Sequence, residues 1–423
     1  MKRPAGWAFG TAILLCSCTG DGGAADSGDG ATPTSTFSGA LTAWFLDPGS
    51  EAGRAAIESA IASFEAAHPA MTVNLEFLPE ATARDKLTTA LAADQAPDVA
   101  QTSTTWTAEL AVQGVLAPAA PADGVEYVDS LVELGAADGT NYGYPFYGDT
   151  QALIYRTDVF TRAGVSPPAT WEEVFSVGDT IAAETPDIVP MQVGGAHLDL
   201  QAPLVWAAGG EIATNGVSGW RSGVDSTAGR AAFSHFESVW KKGWSPRDAV
   251  TWTADDVRMA FAEGRSAMMI GNVADVRAIL AANPGLASKI GSALLPAGPG
   301  GNRDAVVSGA HLVVVDGSSQ REAAVALAQH LTAPKQVVPV ADALALLPGT
   351  RAGVEATVSA DGVLVAFGEQ LLDHSRSYPT AAWWNEMVSD GTFEAATQQL
   401  MHGRITAPEA AAAVDAAIGR AIG

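Results

Sequence analysis

The order of apolar runs predicts an α/β fold made of two halves, each a mainly parallel sheet flanked by helices. Three observations carry that expectation. Strand-length apolar runs alternate with helix-spaced apolar residues through the first third of the chain, and a second series of the same kind follows residue 150. Two strands are interrupted by small or polar residues, at Gly148-Asp149-Thr150 and at Ser308-Gly309. Of the 423 residues 48% are apolar, which is ample for cores of that size.

In chain order, Leu41 to Leu46 is an apolar run closed by Asp47-Pro48-Gly49, and Ile57, Ile61 and Phe64 then recur at helical spacing as far as His68-Pro69. Met71 to Leu78 alternates, with Met71, Val73, Leu75 and Phe77 on one face of a strand. A second helix carries Leu87 and Leu91. Asp98 to Gln101 is a short strand entering a polar loop, Thr102 to Trp106, and a helix from Ala108 to Gln113 ends at Gly114. In sheets of this order ligands sit at the carboxyl ends of the strands, where the loops hold Asp47, Ser103, Thr104 and Trp106. Next come Tyr142, Tyr144, Phe146 and Tyr147, the polar break at Gly148-Asp149-Thr150, and apolar Ala152 to Tyr155. Taken alone, that stretch reads equally as a hairpin or as a chain crossing from one half to the other.

Thr170 to Glu173 opens a helix with a capping box, and Val189 to Val193 is a short strand. Thr227 to Lys242 is an amphipathic helix with Phe233, Phe236 and Trp240 inside. Thr253 to Asp256 starts a capped helix running to Gly264, and the buried-type strand Ala267 to Ile270 ends at Gly271-Asn272. Ile290 to Leu295 and the interrupted Val306 to Val315 are further strands, and a capping box from Ser319 to Glu322 opens more helices. The C-terminal third is helical, with Trp383-Trp384 after Tyr378-Pro379 and a last helix capped by Thr406 and Glu409.

Charge narrows the function. The 47 acidic residues against 23 basic ones give a net charge of −24, which argues against nucleic acid and against docking on anionic lipid. Lys2 and Arg3 followed by the short apolar run Trp7 to Leu15 read as an export signal. Leu15-Cys16-Ser17-Cys18 resembles a lipobox, with Cys18 as the lipidated residue. Thr19 to Phe37 is rich in Gly, Ala, Asp, Ser and Thr, the composition of a flexible tether. Both cysteines fall in this segment, so the body is expected to lack disulfide and thiol chemistry. The expectation is an exported, lipid-anchored monomer facing the periplasm or the outer cell surface.

Motifs for chemistry do not emerge. The seven histidines are scattered without HxxxH or HxH spacing, and there is no DxDxDG loop, no GxSxG elbow and no GK[ST] phosphate cradle. Glu172-Glu173 and Asp255-Asp256 sit at helix caps, which explains them better than acid/base work. No catalytic residue, metal or cofactor is expected. The 11 tryptophans, all but Trp7 in the body, suit saccharide binding, in which aromatic rings cover C–H faces and carboxylates bond hydroxyls.

In order and spacing, several short pieces resemble the extracellular solute-binding proteins of ABC importers, in the sugar-binding group that includes maltose-binding protein. They are Phe64 to Pro69 before an alternating strand, Ala96 to Val99, Tyr144-Pro145 through Ala152 to Asp158, Thr170 to Glu173, Ala208 to Gly210, Gly264 to Met268, Ser308-Gly309 and Leu347-Pro348. The resemblance implies a periplasmic-binding-protein-like fold (type II), two lobes joined by a hinge. Residues 1–17 would be the signal peptide and 18–36 the tether. Lobe one would be 37–146 plus 312–347, and lobe two 147–311 plus 348–423. Asn141 to Phe160 then becomes a lobe crossing, with Gly148, Gly309 and Gly349 suited to hinge motion. The partners implied are a sugar or oligosaccharide, the importer's permease subunits, and the membrane through the lipid anchor.

For the site, the resemblance points to Asp47, Thr105 and Trp106 on the first lobe, Asp149 on the crossing, His197 and Asp199 on the second lobe, and Trp383 or Trp384 as a stacking ring. A stacking Trp expected after Ile270 is absent from Gly271 to Asp275, and Trp252 is the substitute. Tyr147 either faces the cleft or packs the hinge, Asn272 is a contact or a turn residue, and His311 is a crossing-strand contact or a core histidine. Trp383 and Trp384 cannot share a helix face, so one of them packs. The alternatives to sugar are a polyamine, a glycerol phosphate ester served by Arg351, or iron held by Tyr142, Tyr144 and Tyr147. A glycoside-acting enzyme would need two facing carboxylates.

Overall fold

A computed structural model of the chain describes residues 37–196 and 200–423. The signal, the tether and Cys18 lie outside the described residues, as do His197 and Asp199.

Two sheets carry the two lobes. The first runs, in spatial order, Leu347–Pro348, Tyr144–Thr150, Ala305–Val314, Val99–Ser103, Gly39–Leu46 and Met71–Leu78, with Ser375–Arg376 added beside the start of Ala305–Val314. The second runs Ile290–Ala293, Ala152–Arg156, Ser266–Gly271 and Val189–Met191. Strand direction is mixed. Gly39–Leu46 is parallel to both Met71–Leu78 and Val99–Ser103, as the β-α order predicts. Ala305–Val314 enters antiparallel because its chain returns from the second sheet. In the second sheet only Ser266–Gly271 and Val189–Met191 are parallel.

Local chemistry sets the element ends. The helix Glu51–Ala67 starts where the Ser50 side chain accepts from the Gly53 N–H, and it buries Ile57, Ile61 and Phe64 against the first sheet. Each of those side chains contributes about 2 kcal/mol through burial. The helix Thr104–Val112 starts four residues earlier than the sequence suggests, because Ser103 caps it by accepting from the Thr105 N–H. Thr105 and Trp106 therefore occupy the first helical turn rather than a loop. The helix Arg321–Thr332 starts one residue later than its apparent capping box at Ser319 predicts, with Gln320 as the N-cap and no side-chain cap bond.

The chain crosses between sheets through one residue. Tyr144–Thr150 ends in the first sheet, Gln151 intervenes, and Ala152–Arg156 belongs to the second. The stretch is a crossing and not a hairpin. Ala305–Val314 runs without a break, and the predicted interruption appears as a register shift between Ala310 and His311. Gly309 and Gly349 serve close packing: a Cβ on Gly309 would lie 2.3 Å from the Tyr147 carbonyl oxygen, and one on Gly349 2.4 Å from that of Pro145.

Each lobe has its own core, and a third cluster spans the crossing. Leu41, Phe45, Phe64, Phe146 and Leu327 share the first core; Leu153, Val174, Trp206, Phe236 and Trp384 share the second. In the third, Val307 and Leu347 from the first sheet meet Ile154 and Met269 from the second, with Leu131 and Phe367 beside them.

Candidate functional site

The crossing strands present two different faces. Asp149 pairs with Ser308 and Tyr147 with Ala310, so these four residues share one face. The intervening Gly148 faces the other way, where an added Cβ would lie 3.0 Å from Leu131 and 3.4 Å from Leu371. That second face is roofed by the helices Asp129–Leu134 and Val365–Asp373. The first face opens into a cleft of about 480 Å³ lined by Asp47, Glu80, Ser103, Tyr147, Asp149 and Ser308, among others.

Each polar group in this cleft has a positional cause. Asp47 stands just beyond Gly39–Leu46, accepts the Gly49 N–H at 3.0 Å and is ion-paired with Arg54. The Arg54 hydrogen bond holds its carboxyl below the ordinary aspartate value. Tyr147 accepts from Gln101 Nε2 at 2.6 Å, and burial pushes its phenol up to about 12, so it acts as a neutral hydroxyl. Asp149 Oδ2 accepts from Asn272 Nδ2 at 2.9 Å. Asn272 is the N-cap of the helix Val273–Ala282, and its Oδ1 accepts the Asp275 N–H while its amide reaches Asp149. A second-lobe helix terminus is thereby tied to the crossing strand.

The structure thus brings Asp47, Tyr147, Asp149 and Asn272 together, and places Thr105 and Trp106, both half-buried, on the helix that begins next to Ser103. Several expected contacts lie elsewhere. His311 is fully buried: Nδ1 is 2.8 Å from Thr107 Oγ1 and Nε2 2.8 Å from the Leu131 carbonyl, on the face away from Asp149. It is a core histidine. Trp384 is also core, 3% exposed, stacked on Tyr378 at 4.7 Å and edge-on to Phe393. Trp383 is half-buried, in a T-shaped contact with Trp220 at 5.6 Å, and its buried indole N–H is unpartnered. Trp252 is half-buried with the Arg265 guanidinium 5.5 Å over its ring, so that face is occupied. His197 and Asp199 lie outside the described residues.

Ser103 lines the cleft from the strand end at which ligands are expected, while Glu80 and Ser308 are cleft residues that the site prediction did not include. Glu80 was findable, because it opens the helix directly after the carboxyl end of Met71–Leu78. Arg351, the candidate for a phosphate ester, is 4.0 Å from both Glu126 and Asp129. The tyrosines do not converge as iron ligands, since Tyr144 is buried in the first core while Tyr147 lines the cleft. Among the described residues no group of three or more His, Cys, Asp or Glu is placed to hold a metal, and no helix is long and apolar enough to cross a membrane.

Two α/β lobes, strands crossing between them and a polar cleft over the crossing define a ligand receptor of the two-lobed binding-protein class. Residues 47–338 match the bacterial extracellular solute-binding protein family, and the chain belongs to that family. A putative binding protein of Brucella abortus (strain 2308) is 27% identical over 252 residues, 57% of this chain and 59% of the relative, so the chain spans about three-fifths of that protein. The diacetylchitobiose binding protein DasA of Streptomyces coelicolor is 26% identical over 331 residues, 77% of this chain and 76% of the relative. Among solved structures, the GacH receptor of Streptomyces glaucescens, known unliganded and with acarbose, is 25% identical at a TM-score of 0.69, covering 91% of this chain and 99% of its own. The sugar-binding protein MalE of Xanthomonas citri shares the fold at a TM-score of 0.79 and 24% identity, over 91% of this chain and 97% of its own.

Proposed function

We propose that this chain is the substrate-binding lipoprotein of an ABC importer, capturing a sugar or oligosaccharide between its lobes and delivering it to the permease. In this reading it is exported and held to the membrane by lipid on Cys18, with lobe one at 37–146 plus 312–347 and lobe two at 147–311 plus 348–423. The observation that carries the ligand class is the gathering of Asp47, Asp149 and the neutral Tyr147 phenol around one open cleft on the crossing strands. Carboxylates and phenols bond sugar hydroxyls strongly. Similarity to DasA and to the GacH receptor supports the same class. Trp106, half-buried on the helix that begins next to Ser103, supplies aromatic surface in this reading.

A second reading, a polyamine in the same cleft, draws on the excess of carboxylates in its lining, Asp47, Glu80 and Asp149. A thermal-shift panel of mono- and oligosaccharides, spermidine and glycerol phosphate separates the two. A ligand at 100 times its dissociation constant stabilises by about 2.7 kcal/mol. A melting shift with a saccharide supports the sugar reading; a shift with spermidine and none with any saccharide overturns it.

A further inference from the structure

A second cavity, of about 260 Å³, lies on the other side of the crossing strands. Its wall includes Ser130 and Glu133 from the helix Asp129–Leu134, which covers the face opposite Asp149. Facing them are Trp206, Glu211, Trp220, Arg376 and Tyr378 from the second lobe. Ser375 Oγ donates to Ser130 Oγ at 2.8 Å, joining the two walls.

The lining combines apolar ring surface with paired charge. Glu211 and Arg376 form an ion pair, and the Arg376 guanidinium lies 5.5 Å over the Trp206 ring. Trp220 is half-exposed on the hairpin Ala213–Gly216/Gly219–Ser222, and Tyr378 is half-buried. An anion is repelled by Glu133 and Glu211. A quaternary or polyamine cation meets the like charge of Arg376, which already covers the Trp206 ring. A neutral polyhydroxylated ring fits all three features. Its C–H face lies on an aromatic ring, and its hydroxyls bond the Glu211–Arg376 pair and the serines. The volume suits a ligand smaller than drug size.

We infer that this cavity is a second saccharide site, taking a single sugar unit against Trp220 with the Glu211–Arg376 pair binding its hydroxyls. The inference rests on this cavity alone and not on the ligand of the first cleft. To test it, the full chain carrying Asp149→Ala is titrated with D-glucose and N-acetyl-D-glucosamine, with choline and inorganic phosphate as charged controls, by saturation-transfer NMR. One of the two sugars should bind, and Trp220→Ala should weaken it at least tenfold. The substitution is on a surface hairpin outside the core, and Glu211→Gln gives an independent second disruption with the same expected loss. Binding of neither sugar, binding of choline or phosphate in their place, or an unchanged affinity in both variants overturns the second site. Monosaccharide binding by the unsubstituted chain that Asp149→Ala abolishes and Trp220→Ala spares assigns it to the first cleft: the second site fails and the proposed function stands. If Trp220-dependent sugar binding persists while no saccharide responds to Asp149→Ala, the first-cleft reading fails instead.

Discussion

The buried crossing-strand histidine predicts how stability depends on pH. His311 is fully enclosed and hydrogen-bonded to Thr107 and the Leu131 carbonyl, and desolvation lowers its pKa from 6.5 to about 4. The depressed value means that the unfolded chain binds the proton first on acidification. Stability is complete above pH 6.5 and is lost as pH falls toward 4. Between pH 7 and pH 5 the loss from this residue is about 2 kcal/mol, the larger part of roughly 3 kcal/mol for the whole shift. His235 acts in the same direction, lowered to about 4 by burial beside Trp171 and Phe175. The window lies above the ordinary aspartate range, so the ion-paired carboxylates contribute little there.

Urea unfolding at pH 7 and pH 5 reads this directly. The wild-type chain should lose stability across the interval, and His311→Gln should reduce that loss by about 2 kcal/mol whatever its stability at pH 7. Ligand affinity at pH 7 should be unchanged in the folded variant, because the side chain faces away from Asp149. An identical pH dependence in wild type and variant would refute the burial argument. A large loss of affinity in a folded variant would return His311 to the ligand site.

Four further outcomes follow from contacts at the crossing and in the second core. Asp149→Ala should weaken the cleft ligand by about 1.5–3 kcal/mol, the worth of a hydrogen bond to a charged group, in calorimetric titration. Asn272→Ala should cost about 1 kcal/mol of stability through the lost helix cap and also weaken ligand binding by releasing Asp149; normal values in both would separate the cap from the site. Gly309→Ala places a Cβ 2.3 Å from the Tyr147 carbonyl and should destabilise by about 1–3 kcal/mol in urea unfolding. Trp384→Ala should cost about 3–5 kcal/mol, with a clearly smaller effect from Trp383→Ala, which removes the less buried ring.

Much of the fold was legible because periodicity is local. Met71–Leu78 alternates in sequence and is a strand at those bounds, and the capping boxes at Thr253 and Thr406 start the helices they announce. Direction was less legible: whether a strand runs parallel depends on which lobe its chain has just left. Candidate site residues divided on the same ground. Asp47 and Asp149 line the cleft, as their places at a strand end and on the crossing suggest. His311 was not, because one residue along a strand reverses the face, and a register shift at Ala310/His311 intervenes. Trp383 and Trp384 show the helical counterpart: adjacent positions point apart, so one joins the core and the other only borders it.

The crossing strands explain why a polar cleft forms where it does. On one face Asp149 and Ser308 stand opposite each other, with Tyr147 beside them, all polar and left open to the cleft. On the other face glycine and aliphatic residues admit Leu131, Phe367 and Leu371 into close contact. Burying the second face anchors the strands, and an anchored strand fixes where Asp149 points. Asn272 then adds a contact from the second lobe, so the carboxylate senses the position of both lobes through one 2.9 Å hydrogen bond. A ligand that bonds Asp149 competes with or reorients that amide, which couples occupancy of the cleft to the helix Val273–Ala282. Hinge strands with polar groups on both faces would have no such anchor, and strands apolar on both faces would have nothing to offer a hydroxyl.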